Sequence, residues 1–268
     1  MFKKYGLLGI FLVIFAEINF FLRVEPYIYY GFVLAWFGYI LTLDALVYKL
    51  KGNSLISRNF KQFLLMFILS AIFWWIFELI NIPLQNWRYV GLEYFGELTP
   101  LIKTISFATV LPAFFETVDL LKSIHVFDKI TLKKRKIGKN MILGMIALGV
   151  LCFISPLVLP RYTFTLVWLS LFLILDPINY MHSRPSILGH IKNGNASVIL
   201  GLLLAGIILG FFWEFWNYWA AVKWVYDIPF LGFFKIFEMP ILGYLGYFPF
   251  AFELYAMYWF SRSLISKN

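Results

Sequence analysis

Charge is scarce in this chain and cysteine almost absent. Charged residues fill 14% of the 268 positions, against 62% hydrophobic and 21% aromatic, and the mean hydropathy is +0.80. A water-soluble domain of that composition would expose large apolar patches, so the composition indicates an integral membrane protein. Cys152 is the single cysteine and lies inside an apolar run, which excludes an internal disulfide. The three histidines, His125, His182 and His190, fall in connecting segments without zinc-ligand spacing. No Gly-x-Ser-x-Gly elbow, Walker-type loop or Asp-Asp-x-x-Asp cluster occurs either. Neither a metal nor a cofactor is therefore expected. The net charge of +9 falls in short segments between apolar runs. That is the signature of membrane topology, and nucleic acid is not an expected partner.

Apolar runs long enough to cross about 30 Å of hydrocarbon occur at 6–23, 27–48, 60–82, 100–121, 141–159, 162–181, 196–221 and 239–261. Lys3 and Lys4 precede the first run as in a signal peptide, but no small-residue cleavage site follows, so that run is read as a helix. Alternating the connections puts seventeen lysines and arginines on one side, among them Lys51, Arg58, Lys122, the basic run at 129–139, Arg262 and Lys267. The other side holds six: Arg23, Arg88, Lys103, Arg161, Lys223 and Lys235. The excess of positive charge predicts both termini in the cytoplasm. The fold expected is an all-α integral membrane bundle of eight transmembrane helices, in the cytoplasmic membrane of a prokaryote.

The chain is also written twice. Trp36, Asp44, Tyr48 and Ser54 match Trp168, Asp176, Tyr180 and Ser186 at an offset of 132 residues. Glu78-x-x-Asn81 matches Glu214-x-x-Asn217 at 136, and Trp87-x-Tyr89 and Pro112-x-x-x-Glu116 match Trp224-x-Tyr226 and Pro249-x-x-x-Glu253 at 137. Four spans per copy make the repeats parallel, related by an axis along the membrane normal. The predicted boundaries are a first repeat at 1–128, a basic cytoplasmic linker at 129–140 and a second repeat at 141–268.

Ionisable groups inside spans are costly and usually face a bundle interior or cavity. Asp44 and Asp176 lie near the cytoplasmic span ends, where capping or pairing with a cation is expected. Glu78, Glu116, Glu214 and Glu253 are the candidate acids, with the first and third nearer the outer leaflet. Asn81 and Asn217, three residues on, share a helix face with Glu78 and Glu214 and would orient them. Pro112 and Pro249 would kink their helices four residues before Glu116 and Glu253. Trp87, Tyr89, Trp224 and Tyr226 sit in aromatic-rich outer connections that read as an interfacial belt or as a lid over a substrate cavity. Gly206 and Gly210 read as a helix contact.

Trp216–Asn217, Ala220, Trp224-Val225-Tyr226, Gly232 and the helix carrying Pro249, Glu253, Tyr255 and Tyr258 together resemble the membrane-integral lycopene (carotenoid) cyclase domain, over about fifty residues per repeat. That family carries Trp-Asp where this chain has Trp216–Asn217, and Pro-x-Glu-Glu where it has single glutamates at Glu116 and Glu253, so its catalytic residues do not transfer directly. The resemblance implies a redox-neutral, proton-initiated cyclisation of an isoprenoid or other apolar lipid. Two other readings stand beside it: a proton-coupled transporter with its site between the repeats, and a non-catalytic membrane scaffold or sensor.

Overall fold

The computed structural model describes residues 1–230 and 232–265; Lys267, one of the cations expected inside, lies outside them. Helix accounts for 76% of the chain. Among the described residues seven helical stretches are long and apolar enough to cross a membrane: Lys4–Leu22, Gly31–Lys51, Phe60–Leu84, Leu92–Ser123, Lys139–Val158, Pro160–Met181 and Ala196–Trp219. The chain is thus a multi-pass helical membrane protein. In element terms these are α1 (Lys4–Leu22), α2 (Gly31–Lys51), the short α3 (Leu55–Arg58), α4 (Phe60–Leu84), β1 (Trp87–Val90), α5 (Thr99–Ala108) and α6 (Val110–Ser123). There follow α7 (Lys139–Val158), α8 (Pro160–Thr163), α9 (Val167–Met181), α10 (Ile187–Asn193), α11 (Ala196–Trp219) and β2 (Lys223–Tyr226). Last come β3 (Lys235–Ile236), β4 (Met239–Pro240) and α12 (Tyr247–Ile265).

The stretch expected to cross at 239–261 differs from the others. Its first residues form β4 and a 3-10 turn at Ile241–Gly246, and the α-helix begins only at Tyr247. Pro240, Gly243 and Gly246 disfavour helix there. The 19-residue α12 that results carries Glu253, Arg262, three tyrosines and Trp259, and is less apolar than the seven. The expected proline kinks are replaced by helix starts. Pro112 and Pro249 are the third residues of α6 and α12, in the first turn, where a missing N–H leaves no intrahelical bond unmade. In the first copy the preceding α5 is continuous with this span and breaks at Thr109. In the second copy no α-helix precedes.

Four helices, α4, α6, α11 and α12, form the centre; α2 and α1 pack outside α6, and α9 and α7 outside α12. The α1–α2 crossing is close because Gly9 and Gly38 face each other: a Cβ on Gly38 would lie 2.7 Å from the Gly9 carbonyl oxygen. Leu7, Leu8, Phe11 and Ile14 on α1, with Leu143, Leu151 and Ile154 on α7, remain exposed, a lipid-facing belt rather than a water-facing surface.

Asp44 and Asp176 serve as caps. Asp44 accepts from the Ile56 N–H of α3 at 2.9 Å and from the Tyr5 hydroxyl; Asp176 accepts from the Ile187 and Leu188 N–H groups of α10 at 2.6 and 3.0 Å. Each carboxylate reaches twelve residues ahead to satisfy donors that a helix N-terminus leaves open. Ser54 and Ser186 cap the same two helices from their N-cap positions.

Candidate functional site

At their C-terminal ends α4 and α11 lead into β1 and β2, which pair antiparallel. The register is reciprocal: Trp87 faces Tyr226 and Tyr89 faces Trp224, about Arg88 and Val225 at the centre. Asn81 and Asn217 set this ribbon on its helices. The Asn81 amide donates to the Trp87 carbonyl at 2.8 Å and accepts from the Asn86 N–H at 2.8 Å; the Asn217 amide donates to the Trp224 carbonyl and accepts from the Trp224 N–H, each at 2.9 Å. Both amides therefore bond main chain, and neither bonds a glutamate. They place the Trp-x-Tyr strands, and the strands in turn meet the acids.

The two outer glutamates are approached alike but balanced differently. Glu78 Oε1 accepts from the Trp87 indole at 2.9 Å and the Tyr89 hydroxyl at 2.8 Å, while Lys103 of α5 closes on Oε2 at 2.6 Å. Glu214 is fully buried. Its Oε1 accepts from the Tyr226 hydroxyl at 2.6 Å and the Tyr247 hydroxyl at 2.8 Å, and its Oε2 has no partner among the described residues. No cation pairs with Glu214 among the described residues. Burial, with the Glu214 carboxyl beside it, pushes the Tyr226 phenol well above the ordinary tyrosine range, and burial beside Glu78 does the same for Tyr89. Both hydroxyls stay protonated and act as donors.

Beneath the ribbon lies a cavity of about 370 Å³ between α4, α9, α11 and α12. Five tryptophans wall it, Trp74, Trp87, Trp168, Trp213 and Trp224, with Phe164, Phe250, Tyr89, Tyr226 and Tyr247. The rings brace one another: Trp74 and Trp213 stand 5.1 Å apart between centroids, and Trp168 meets Phe250 edge-on at 5.5 Å. A smaller hollow of about 60 Å³ flanks the other side of the ribbon, lined by Phe32, Trp36, Tyr89 and Lys103 among others.

Trp87, Tyr89, Trp224 and Tyr226 thus form cavity wall. None of the four glutamates is in either wall. Glu214 reaches the large cavity only through Tyr226 and Tyr247; Glu78 reaches it through Trp87 and Tyr89, and the small one through Tyr89 and Lys103. Glu116 and Glu253 lie deeper, both fully buried. Glu253 accepts from the Leu171 N–H of α9 at 3.0 Å, so it ties α12 to α9. Neither oxygen of Glu116 has a hydrogen-bond partner among the described residues. No hydrogen bond joins any two of the four acids, and no cluster of His, Cys, Asp or Glu suited to a metal ion exists among the described residues.

Sequence reasoning passed over Tyr247, Trp74 and Trp213. A signal for the first two exists. At matched positions the first copy has Trp74 and Val110 where the second has Gly210 and Tyr247, an exchange of bulk between two facing helices. A Cβ on Gly210 would fall 2.5 Å from the Tyr247 ring, and one on Gly206 would fall 2.8 Å from the Tyr247 carbonyl oxygen. The glycines thus make the room in which Tyr247 reaches Glu214 from the facing helix.

No protein-family model, curated protein or solved structure matches this chain.

Proposed function

We propose that the protein is a membrane enzyme that admits one end of an apolar isoprenoid-type lipid to the 370 Å³ cavity and isomerises or cyclises it by protonation. The observation that carries this reading is the pairing of that aromatic chamber with Glu214, a buried carboxyl holding two phenols that face the chamber. Tyr226 and Tyr247 are the groups that meet the substrate, and Glu214 is the proton store behind them. Glu214, in its acid form, is the net donor: one phenol hydroxyl takes the Glu214 proton as it passes its own to an alkene carbon, so the phenol stays neutral and the carboxyl becomes the anion. The cation is held against indole and phenyl faces, each worth up to about 2 kcal/mol when desolvated. Attack by a second alkene closes the ring, and loss of a neighbouring proton returns the pair to its starting state. The reaction is redox-neutral and needs no cofactor.

The same reading takes the chain as two fused, parallel four-span repeats with α12 as an eighth crossing and both termini in the cytoplasm. Support comes from the reciprocal register of β1 and β2, the matched caps of Asp44 and Asp176, and the recurrence of packing neighbours in each half. Tagging both termini tests it; an external carboxyl terminus refutes the count.

The function is tested by incubating the reconstituted protein with a panel of polyenes, lycopene included, in deuterated water. Each product molecule should gain one deuterium, and the Glu214→Gln variant should form product more slowly by about 100-fold or more. An unchanged lipid profile across the panel would sink the reading. A proton-coupled transporter is the second reading, favoured by the unpartnered, fully buried Glu116. It requires substrate-dependent proton uptake in proteoliposomes that Glu116→Gln abolishes.

A further inference from the structure

At the end of the central helices away from the ribbon lies a third space, a cleft of about 290 Å³ between α4, α6 and α12. Its wall divides sharply in character. Phe63, Met66 and Phe115 form an apolar flank, whereas Arg58, Lys122 and Arg262 stand at its mouth with one carboxylate, Asp119. Asp119 is already committed, since Lys51 and Arg58 each reach it at 2.6 Å. Lys122 is exposed and has no hydrogen-bond or ion-pair partner among the described residues. Arg262 has no carboxylate partner there either. It stands instead against the Trp259 ring, 4.8 Å from its carbon centre, and beside the Gln62 amide, whose oxygen accepts from the guanidinium at 2.7–2.9 Å once the amide is assigned with its oxygen toward Arg262. The Trp259 indole N–H, in the same wall, is buried without a partner.

Two cations without counter-charge, one of them pre-oriented, and a spare buried donor make a site short of an anion. Guanidinium and ammonium groups beside an apolar flank suit a phosphate joined to an acyl or isoprenyl tail. The matched positions of the other copy do not repeat the feature: Asp119, Lys122 and Arg262 correspond to Ala256, Trp259 and His125. The site therefore does not follow from the general excess of positive charge at this end of the helices.

We infer that this cleft binds the phosphate headgroup of an anionic lipid, with Lys122 and Arg262 on the phosphate and the tail against Phe63, Met66 and Phe115. The inference is independent of the chemistry assigned to the aromatic cavity. It is tested by native mass spectrometry of the full-length protein in detergent, titrated with dioctanoyl phosphatidylglycerol, dioctanoyl phosphatidylcholine or inorganic phosphate. The anionic lipid should be retained in preference to the zwitterionic one. Retention should fall about fivefold in Lys122→Gln and further in Lys122→Gln/Arg262→Gln, by the value of each cation near an anionic lipid. Lys61→Gln, which removes an exposed cation nearby that is not in the cleft wall, should leave retention unchanged. Equal retention of the two lipids, or no loss in Lys122→Gln, overturns the site. Saturation by inorganic phosphate at the same concentration as the lipid overturns the lipid as its source. If Arg262→Gln fails to fold, Lys122→Gln decides alone, because Lys122 makes no contact the fold depends on.

Discussion

Glu78 and Glu214 occupy matched positions, and each takes a hydroxyl from the tyrosine of its own Trp-x-Tyr strand, yet their surroundings diverge. Lys103 pairs with Glu78 at 2.6 Å and lines the small hollow of about 60 Å³. Where Lys103 stands, the other copy has Pro240, and Glu214 gains Tyr247 in place of a cation. Both acids stand behind the wall of the 370 Å³ chamber, Glu214 through Tyr226 and Tyr247 and Glu78 through Trp87 and Tyr89. The matched glutamates thus differ in what holds them: an ion pair with Lys103 for Glu78, two phenol hydroxyls and no cation among the described residues for Glu214. The Trp74/Val110 and Gly210/Tyr247 exchange is the packing change that accompanies this difference.

Breaking the comparison on the reactive side should have the largest effect. Glu214→Gln is expected to lower turnover by about 100-fold or more, the usual scale for removing a general acid. Glu78→Gln should act mainly on stability, so measuring turnover and melting temperature for both variants separates the copies. Next in size is the ion pair itself. Lys103→Met leaves Glu78 largely buried without its counter-charge and should cost about 3 kcal/mol in a denaturant titration. Adding Glu78→Gln to Lys103→Met should recover part of that loss, and no recovery would mean the pair is not what Lys103 contributes.

Smaller effects sharpen the packing argument. Gly210→Trp forces a side chain into the Tyr247 ring and should cost about 2 kcal/mol. Gly210→Trp/Tyr247→Val, which installs the first copy's arrangement, should be more stable than Gly210→Trp alone while losing turnover. The least effect concerns His190 of α10, whose Nε2 lies 2.9 Å from the Tyr255 hydroxyl. Burial pushes this imidazole below its ordinary value, and Lys122 adds to the shift. The unfolded chain then binds the proton more readily than the fold. The stabilisation is complete above about pH 6.5 and is lost as pH falls through the lower folded value. Melting temperatures from pH 7.5 down to 5.5 should therefore decline less steeply in His190→Gln.

Much of the architecture was legible because bilayer physics writes itself into composition. Apolar runs at the spanning length need no tertiary knowledge. The proposed caps of Asp44 and Asp176 were legible for a related reason, since a polar group at a span end has few other uses. The helix starts at Pro112 and Pro249 were not, because a proline in an apolar run looks the same whether it bends a helix or opens one. The difference lies in Gly243 and Gly246, which stop helix from forming ahead of Pro249. Asn81 and Asn217 were placed on the right face by their spacing from the acids. Spacing alone does not tell that a short amide will find the main chain of a returning strand before it finds a carboxylate.

The Glu-x-x-Asn, Trp-x-Tyr and Pro-x-x-x-Glu pattern, present in two copies, settles which residues are singular in an apolar chain, because each polar side chain in lipid must justify its desolvation. It treats the copies as equals. Only packing makes them unequal: whether a lysine or a second tyrosine closes on the glutamate depends on contacts between residues 25 and 33 positions apart. These are properties of neighbours brought together by the fold, and a one-dimensional repeat holds no record of them.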